Sequence, residues 1–367
     1  MTDVGENKGR LLYAASTFEH IENFHLDYIN ALRRDGFTVD VLARGTGSDF
    51  DIPFEKRLFS LKNVVCLRRI RQIIKRESYT AIILNTSLAA FYIRFALRGR
   101  SRPRVVNIVH GYLFGKGVNP LKSSLLLLCE RLARRRTDAI IVMNREDLAI
   151  AKKHRLTDGE IYFIRGMGVS LGETATLARR LKNRLFPKGA FVLAFAGELS
   201  KRKNQSTLID ALNIIKREIP TALLFLIGEG GERDFLTKKA ERLGLSDSVL
   251  FLGYRRDVPD LVRLCDVYVS ASRTEGLPFN IVEALGVGKT VVASRIKGHA
   301  DIIEDGKDGF LFTAGSAASL AERVIMIQRG ELALDRREIR KKYLRYEKNS
   351  VFPETYSIIK TAIKPHF

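Results

Sequence analysis

Several things are missing from this chain, and each absence narrows what it does. No run of eighteen apolar residues occurs in its 367, so a membrane-spanning helix is not expected. Only three cysteines are present, Cys66, Cys129 and Cys265, scattered through apolar contexts. They exclude a disulfide framework and a thiolate metal site, and read as buried thiols in a reducing compartment. The first residues, Met1-Thr-Asp-Val-Gly-Glu-Asn7, are polar and are not expected to act as a signal peptide. No short-period repeat or low-complexity tract is visible. Acids are scarce, 41 against 62 basic residues, for a formal charge of +21. That imbalance calls for an anionic partner: nucleic acid, anionic lipid or a phosphorylated substrate. No nucleic-acid module can be recognised, so nucleic acid is not the expected partner.

What is there reads as two domains of ordinary size. Hydrophobic residues make up 46%, enough for a sizeable core. Short apolar runs at 10–15, 37–42, 81–84, 105–109, 139–142 and 161–164 alternate with helical patterns, which predicts a doubly wound parallel sheet. The rhythm lapses over 156–189, where Arg184-Leu-Phe-Pro-Lys-Gly189 reads as a linker. It restarts with strands at 190–196, 221–227, 249–252, 266–270, 290–293 and 309–312. Two Rossmann-like domains in series follow. Ligands of such sheets bind beyond the carboxyl ends of the strands.

The most informative stretch runs from Ser270 to Gly286. A strand ends at a Gly-Leu-Pro turn and feeds a helix, which offers backbone N–H groups and a positive helix end to an anion. Glu275 and Glu283 bracket the turn with seven residues between them. Glu283 shares a helix face with Phe279 and Asn280. A phosphate cradle flanked by two acids suits a ligand that is part phosphate and part sugar. A second loop, Gly197-Glu-Leu-Ser-Lys-Arg-Lys-Asn204, places cations at another strand end, where they can meet the charge of a leaving diphosphate. Gly228-Glu-Gly-Gly231 reads equally as a tight turn or a phosphate loop. His110 closes a strand and is followed by glycine.

These residues resemble glycosyltransferase family 4, the retaining enzymes of GT-B fold with an E-x7-E signature. Glu275-Gly-Leu-Pro and Glu283-Ala match that signature. Gly197, Leu199 and Lys203 match the family's Gly-Arg-Leu-x-x-x-Lys-Gly element, with Glu198 in place of Arg and Asn204 in place of Gly. The Gly-Glu-Leu-x-x-x-Lys-Asn version, Asn144-Arg-Glu-Asp147 and Gly166-Met-Gly-Val169 are similar to exopolysaccharide- and capsule-type members. Ser170 stands where many relatives carry Asp. Ala15-Ser-Thr-Phe-Glu-His20 replaces the Gly-Gly turn that some have, so acceptor details cannot be carried over.

The resemblance implies two facing Rossmann-like domains, an acceptor-side one over 1–187 and a nucleotide-sugar one over 188–345. It implies a final helix, 346–367, crossing back to the first. It implies transfer, with retention, of a hexosyl unit from a nucleotide diphosphate sugar, here a UDP-sugar, to a lipid-linked or glycan acceptor in surface polysaccharide synthesis. Catalytic roles fall to His110, Glu275 and Lys203. Glu275 would contact sugar hydroxyls, Glu283 the ribose, and Gly276, Leu277, Pro278 and Phe279 the diphosphate. Gly197, Asn204 and a packing residue from Tyr254 or Arg255 complete the donor side. Lys201 or Arg202 could join Lys203. No Asp-x-Asp pair serves the site, so no metal or other cofactor is expected.

Between Lys56 and Arg104 thirteen Lys or Arg stand against one acid, Glu77, and the apolar run Leu121–Leu132 ends in Arg134-Arg-Arg136. That order suits an anionic membrane surface, which places the protein in the cytoplasm, peripheral on the inner membrane. Two rivals use the same architecture: a UDP-sugar 2-epimerase-like isomerase, and a non-catalytic subunit of a polysaccharide assembly complex.

Overall fold

The structure is a computed structural model and describes residues 8–55, 60–97, 102–114, 119–171, 187 and 189–364. Lys56, which opens the basic run, and most of the linker 184–189 lie outside them. The chain forms two compact units, 1–168 with 351–367, and 169–350.

The first unit is built on seven parallel strands: β1 (Arg10–Thr17), β2 (Thr38–Arg44), β3 (Phe50–Asp51), β4 (Ala81–Leu84), β5 (Arg104–Val109), β6 (Ala139–Val142) and β7 (Glu160–Phe163). Their order is β3-β2-β1-β4-β5-β6-β7. Helices cover the sheet, so inner strands such as β4 and β6 are buried at every residue and are written as unbroken apolar runs rather than alternating ones. Leu11 sits between Val39 and Ala81, which fixes the register at the centre. Gly36, at φ +93°, ends the helix Leu26–Arg34. Its N–H and that of Phe37 reach back to Arg33 and Leu32, as the αL stop predicts.

The second unit repeats the plan with six parallel strands: β8 (Phe191–Ala196), β9 (Ala222–Ile227), β10 (Val249–Gly253), β11 (Val267–Ser270), β12 (Thr290–Ser294) and β13 (Phe310–Phe312), ordered β10-β9-β8-β11-β12-β13. The helix Gln205–Glu218 buries Leu208, Ile209, Leu212 and Ile215 against this sheet, the i, i+3, i+4 stripe of a core-facing helix.

The final helix, Lys348–Ile363, returns to the first unit. There Phe352 stacks on Tyr28 with ring centroids 4.7 Å apart, Thr355 Oγ1 donates to the Gly166 carbonyl at 3.2 Å, and Lys360 pairs with Asp35 at 2.9 Å. The first division falls at Gly168/Val169 rather than 187/188. Val169 accounts for this: it hydrogen-bonds on both sides of Glu347, to Tyr346 and Lys348, so the backbone already belongs to the second unit there.

Two surface readings need correction. Arg94, counted in the basic run, is fully buried. It makes a bidentate pair with Glu130 at 2.7 and 2.9 Å and also bonds Ala90 and Thr137. It is a core ion pair, not a surface cation. Cys129 is half-buried, because it lies on the partly exposed helix Pro120–Ala133, whereas Cys66 and Cys265 are buried.

Candidate active site

In the second unit the loops after β8 and β11 meet. Arg202 Nη1 lies 2.8 Å and Lys203 Nζ 2.7 Å from the two carboxylate oxygens of Glu275. The Arg202 contact is a well-aligned hydrogen bond, while the Lys203 contact acts as an ion pair. Backbone bonds hold the loops together: Arg273 N–H donates to the Arg202 carbonyl at 2.8 Å. Burial by itself would push the Glu275 carboxyl up, but Lys203 and Arg202 outweigh it and hold the group at about 2. Glu275 is therefore a buried, fully ionised group between two cations. Of the two cations left open by the sequence, the structure brings Arg202, not Lys201, to Lys203.

Glu283 differs in every respect. It lies on the helix Phe279–Gly286, and among the described residues its carboxyl has no ion pair or hydrogen bond. Burial pushes that carboxyl up to about 7. Asn280, on the same helix, donates to the Ala196 carbonyl at the end of β8 at 2.9 Å. Tyr268 of β11 accepts from the Ala196 N–H at 3.0 Å. These bonds seat the helix against the carboxyl ends of β8 and β11, and Glu283 itself stays partly exposed.

The remaining sequence-predicted residues divide by what occupies them. Gly197 has φ +148°, and a Cβ there would meet Phe195 at 3.2 Å. Asn204 takes the left-handed conformation at φ 57°, where Asn is among the few tolerated non-glycine residues. This explains how it stands in a glycine's place. Its side chain is spent on Thr207 Oγ1 at 2.9 Å and the Ala271 carbonyl at 3.3 Å. Gly276 and Leu277 lead through Pro278 into Phe279, the first residue of the helix. Tyr254 is 59% exposed, and Arg255 forks onto Asp257 at 2.6 and 2.8 Å. The Gly228–Gly231 turn has a packing reason. A Cβ on Gly228 would come 2.2 Å from the Gly197 carbonyl oxygen, and one on Gly230 2.3 Å from that of Leu199. These glycines let the turn lie directly against the loop that carries Lys203.

His110 belongs to the first unit, at the carboxyl end of β5. Its Nε2 lies 3.0 Å from Nε2 of His25, whose Nδ1 lies 3.0 Å from the Tyr13 hydroxyl. Burial holds His25 and His110 well below the usual imidazole range and His20 at about 4.

Sequence reading missed Gly298 and His299. A Cβ on Gly298 would stand 2.5 Å from the Gly276 carbonyl oxygen and 2.8 Å from that of Glu275. His299 is buried, with Nδ1 2.8 Å from the Ser294 carbonyl oxygen, and Ser294 Oγ donates to the Ser272 carbonyl at 2.6 Å. Together they clamp the end of β12 to the loop bearing Glu275. The only signal in the sequence is a Gly-His pair shortly after a strand.

Comparison with known proteins identifies the family. Residues 21–166 match Glycosyltransferase Family 4, and 179–349 match Glycosyl transferases group 1. The chain is 31% identical to the "Putative glycosyltransferase EpsD" of Bacillus subtilis, over 86% of each chain. It is 25% identical to the UDP-Gal:alpha-D-GlcNAc-diphosphoundecaprenol alpha-1,3-galactosyltransferase of Escherichia coli, over 84% of this chain and 82% of that one. Among solved structures, Anabaena HepE in complex with UDP-glucose superposes with a TM-score of 0.75 at 23% identity, covering 96% of this chain and 100% of that one. WaaG, a glycosyltransferase of lipopolysaccharide biosynthesis, gives 0.74 at 16% identity over 95% and 99%. The chain belongs to glycosyltransferase family 4. It is a glycosyltransferase of GT-B fold, with relatives named for lipopolysaccharide core biosynthesis.

Proposed function

We propose that this enzyme transfers a hexosyl unit, with retention, from a UDP-sugar to a lipid-linked acceptor in surface polysaccharide assembly. The observation that carries this reading is the pair of unlike carboxylates, Glu275 clasped by Arg202 and Lys203, and Glu283 without an ion pair among the described residues, its carboxyl pushed up by burial. A partly exposed carboxylate that no protein group occupies is a ready acceptor for the two ribose hydroxyls. Lys203, Arg202 and the amides from Gly276 to Phe279 would take the diphosphate. The bond from the sugar's anomeric carbon to that diphosphate breaks as the bond to the acceptor oxygen forms, and charge collects on the leaving group. Lys203 stabilises that charge. Its amine turning to phosphate would free one Glu275 oxygen for sugar hydroxyls. His110 would contact the sugar from the first unit, and no metal takes part. The activity for which the Escherichia coli relative is named and the ligand of HepE support the donor and acceptor classes. A thermal-shift panel of nucleotide sugars, followed by transfer assays on lipid-linked acceptors, tests the reading. Stabilisation by no UDP-sugar would overturn it.

The acceptor also implies a place of work, the cytoplasmic face of the inner membrane. Leu121, Leu125, Leu128 and Leu132 form an exposed stripe at helical spacing on the helix Pro120–Ala133, next to Arg131 and Arg135. Leu61, Val64 and Val65 are exposed at the start of the helix Leu61–Glu77, which also exposes Arg68, Arg69 and Lys75. Both helices pack against the helix Ser87–Ala96. No helix among the described residues is long and apolar enough to cross a membrane. Apolar stripes bordered by cations instead suit peripheral binding, each cation contributing about 1 kcal/mol near an anionic surface. The full chain should co-sediment with anionic vesicles and not neutral ones, and Leu125→Asp with Leu128→Asp should weaken this at high salt. Indifference to anionic vesicles at low salt would end the membrane reading.

A further inference from the structure

Three buried polar atoms without hydrogen-bond partners gather around the carboxyl ends of three neighbouring strands: His20 Nε2 just after β1, Asn85 Oδ1 just after β4 and His110 Nδ1 just after β5. Buried polar groups are normally paired, so orphans of this kind mark a ligand the protein awaits. What each atom offers follows from proton counting.

Burial keeps all three imidazoles neutral at pH 7, so each ring carries one N–H and one lone pair. Tyr13 is fully buried, and among the described residues its hydroxyl has one partner, His25 Nδ1, at 3.0 Å. If Tyr13 accepted from His25, its own O–H would be buried with nothing to donate to. Tyr13 therefore donates, and His25 Nδ1 holds the lone pair. The His25 proton is then on Nε2 and is donated to His110 Nε2 across 3.0 Å. The His110 proton is left on Nδ1, the orphaned atom. His20 bonds the Asn85 backbone through its ring. Because its Nε2 has no partner, that bond uses Nδ1 as donor to the carbonyl, and Nε2 keeps a lone pair.

We propose that Tyr13 and His25 are positioning residues that fix His110 as an Nδ1–H donor, and that this donor, with the His20 Nε2 and Asn85 Oδ1 acceptors, binds a sugar hydroxyl. The His20 and His110 ring centroids are 4.6 Å apart. A hydroxyl needs one donor and one acceptor, and the cluster supplies both. His110 in this tautomer cannot take a proton at Nδ1, so it orients a sugar rather than acting as a base. The inference rests on the glycosyltransferase reading, but its first test needs no substrate.

That test is two-bond ¹⁵N–¹H correlation of ¹⁵N-histidine-labelled full-length protein at pH 7. His25 should appear protonated at Nε2 and His110 at Nδ1. In Tyr13→Phe, with folding checked by thermal melt, the His110 signals should move to the other tautomer or to an average of the two. His25→Gln keeps an acceptor for Tyr13 and a donor for His110, so it should retain the Nδ1–H form and most activity, whereas His25→Leu should lose both. An Nε2–H His110 in the wild type overturns the relay, as does stoichiometric zinc removed by chelator together with the imidazole shifts. UDP-glucose or UDP-galactose should shift His20 and His110 nitrogens where UDP does not, if the hydroxyl is the donor's. A GlcNAc-diphospholipid should do so if it is the acceptor's. No shift with any of them overturns hydroxyl binding. Should His110→Ala leave turnover unchanged, the catalytic reading of His110 fails while the tautomer result stands.

Discussion

The loop after β11 and the loop after β5 close the same kind of parallel strand in two sheets of similar plan, yet they are held in opposite ways. Glu275, after β11, is kept ionised by Lys203 and Arg202. His110, after β5, is kept neutral by burial and oriented by a hydrogen-bond chain through His25 to Tyr13. Fixed charge suits a diphosphate, whose charge rises as it departs. Neutral donors and acceptors suit hydroxyls, whose charge does not change. The fold supplies the position, and the residues behind each loop decide which chemistry is met there.

The largest effect should come from the charged side. Lys203→Ala should cut turnover by about 10²–10³ with little change in donor binding, because its charge is worth most when the leaving group develops its own. Steady-state kinetics with calorimetry checks this, and small equal changes in both would remove Lys203 from the leaving-group role. Next comes Gly298→Ala. The added methyl would press on the Gly276 and Glu275 carbonyls at 2.5 and 2.8 Å. Overpacking of this kind costs about 1–3 kcal/mol, so both melting temperature and UDP affinity should drop. Retained affinity in a destabilised protein would mean that the clamp does not shape the donor loop.

Glu283 sharpens the contrast within one unit. Its folded value of about 7 lies above the ordinary 4.5, so the folded protein holds a proton that the unfolded chain releases. The associated stability is complete below 4.5 and is lost as pH rises through about 7. Wild type should therefore weaken relative to Glu283→Gln by up to about 1.4 kcal/mol per pH unit across that window. Urea midpoints at pH 5 and pH 8, without nucleotide, should diverge between the two proteins, and parallel midpoints would show that Glu283 is ordinarily solvated. The smallest effect falls on the neutral side. His110→Ala removes one hydrogen bond, about 0.5–1.5 kcal/mol, so activity should fall roughly threefold to tenfold. The loss should be the same at pH 6 and pH 8. A deficit that grows on acidification would mean that His110 works as a cation.

The strands were legible wherever both faces are buried, because burial forces unbroken apolar runs. β3 was not, since Phe50–Asp51 is too short to leave any pattern. Glu275 and Glu283 stand out in the sequence because their spacing on one strand–loop–helix unit is local, and Lys203 because it lies in a cation-rich loop after another strand. Arg202 was one of two candidates, and its bonds to the Glu275 loop, seen only in the fold, bring it there. His25 went unread, because its partners lie 12 and 85 residues away in sequence. Gly298 was invisible for a similar reason, as the atoms that forbid a side chain belong to Gly276 and Glu275. Arg94 looked like its basic neighbours until Glu130 was seen beside it.

The backbone passes between the units twice, after Gly168 and after Ser350, and on either side of these seams it is stitched to itself. Val169 is bonded to the backbone around Glu347, and Thr355 to Gly166. The second unit is thus an insert spliced into the host near its end. A chain cut short near residue 185 would lack the stacking of Phe352 on Tyr28 and the Lys360–Asp35 pair, so the first unit is not a simple amino-terminal fragment. The opposite manipulation is easier. Residues 169–350 can be lifted out through two cuts and replaced by a short bridge, or by the corresponding block of a relative. The architecture therefore allows the second unit to be exchanged as a cassette while the host chain and its carboxyl-terminal helix are kept.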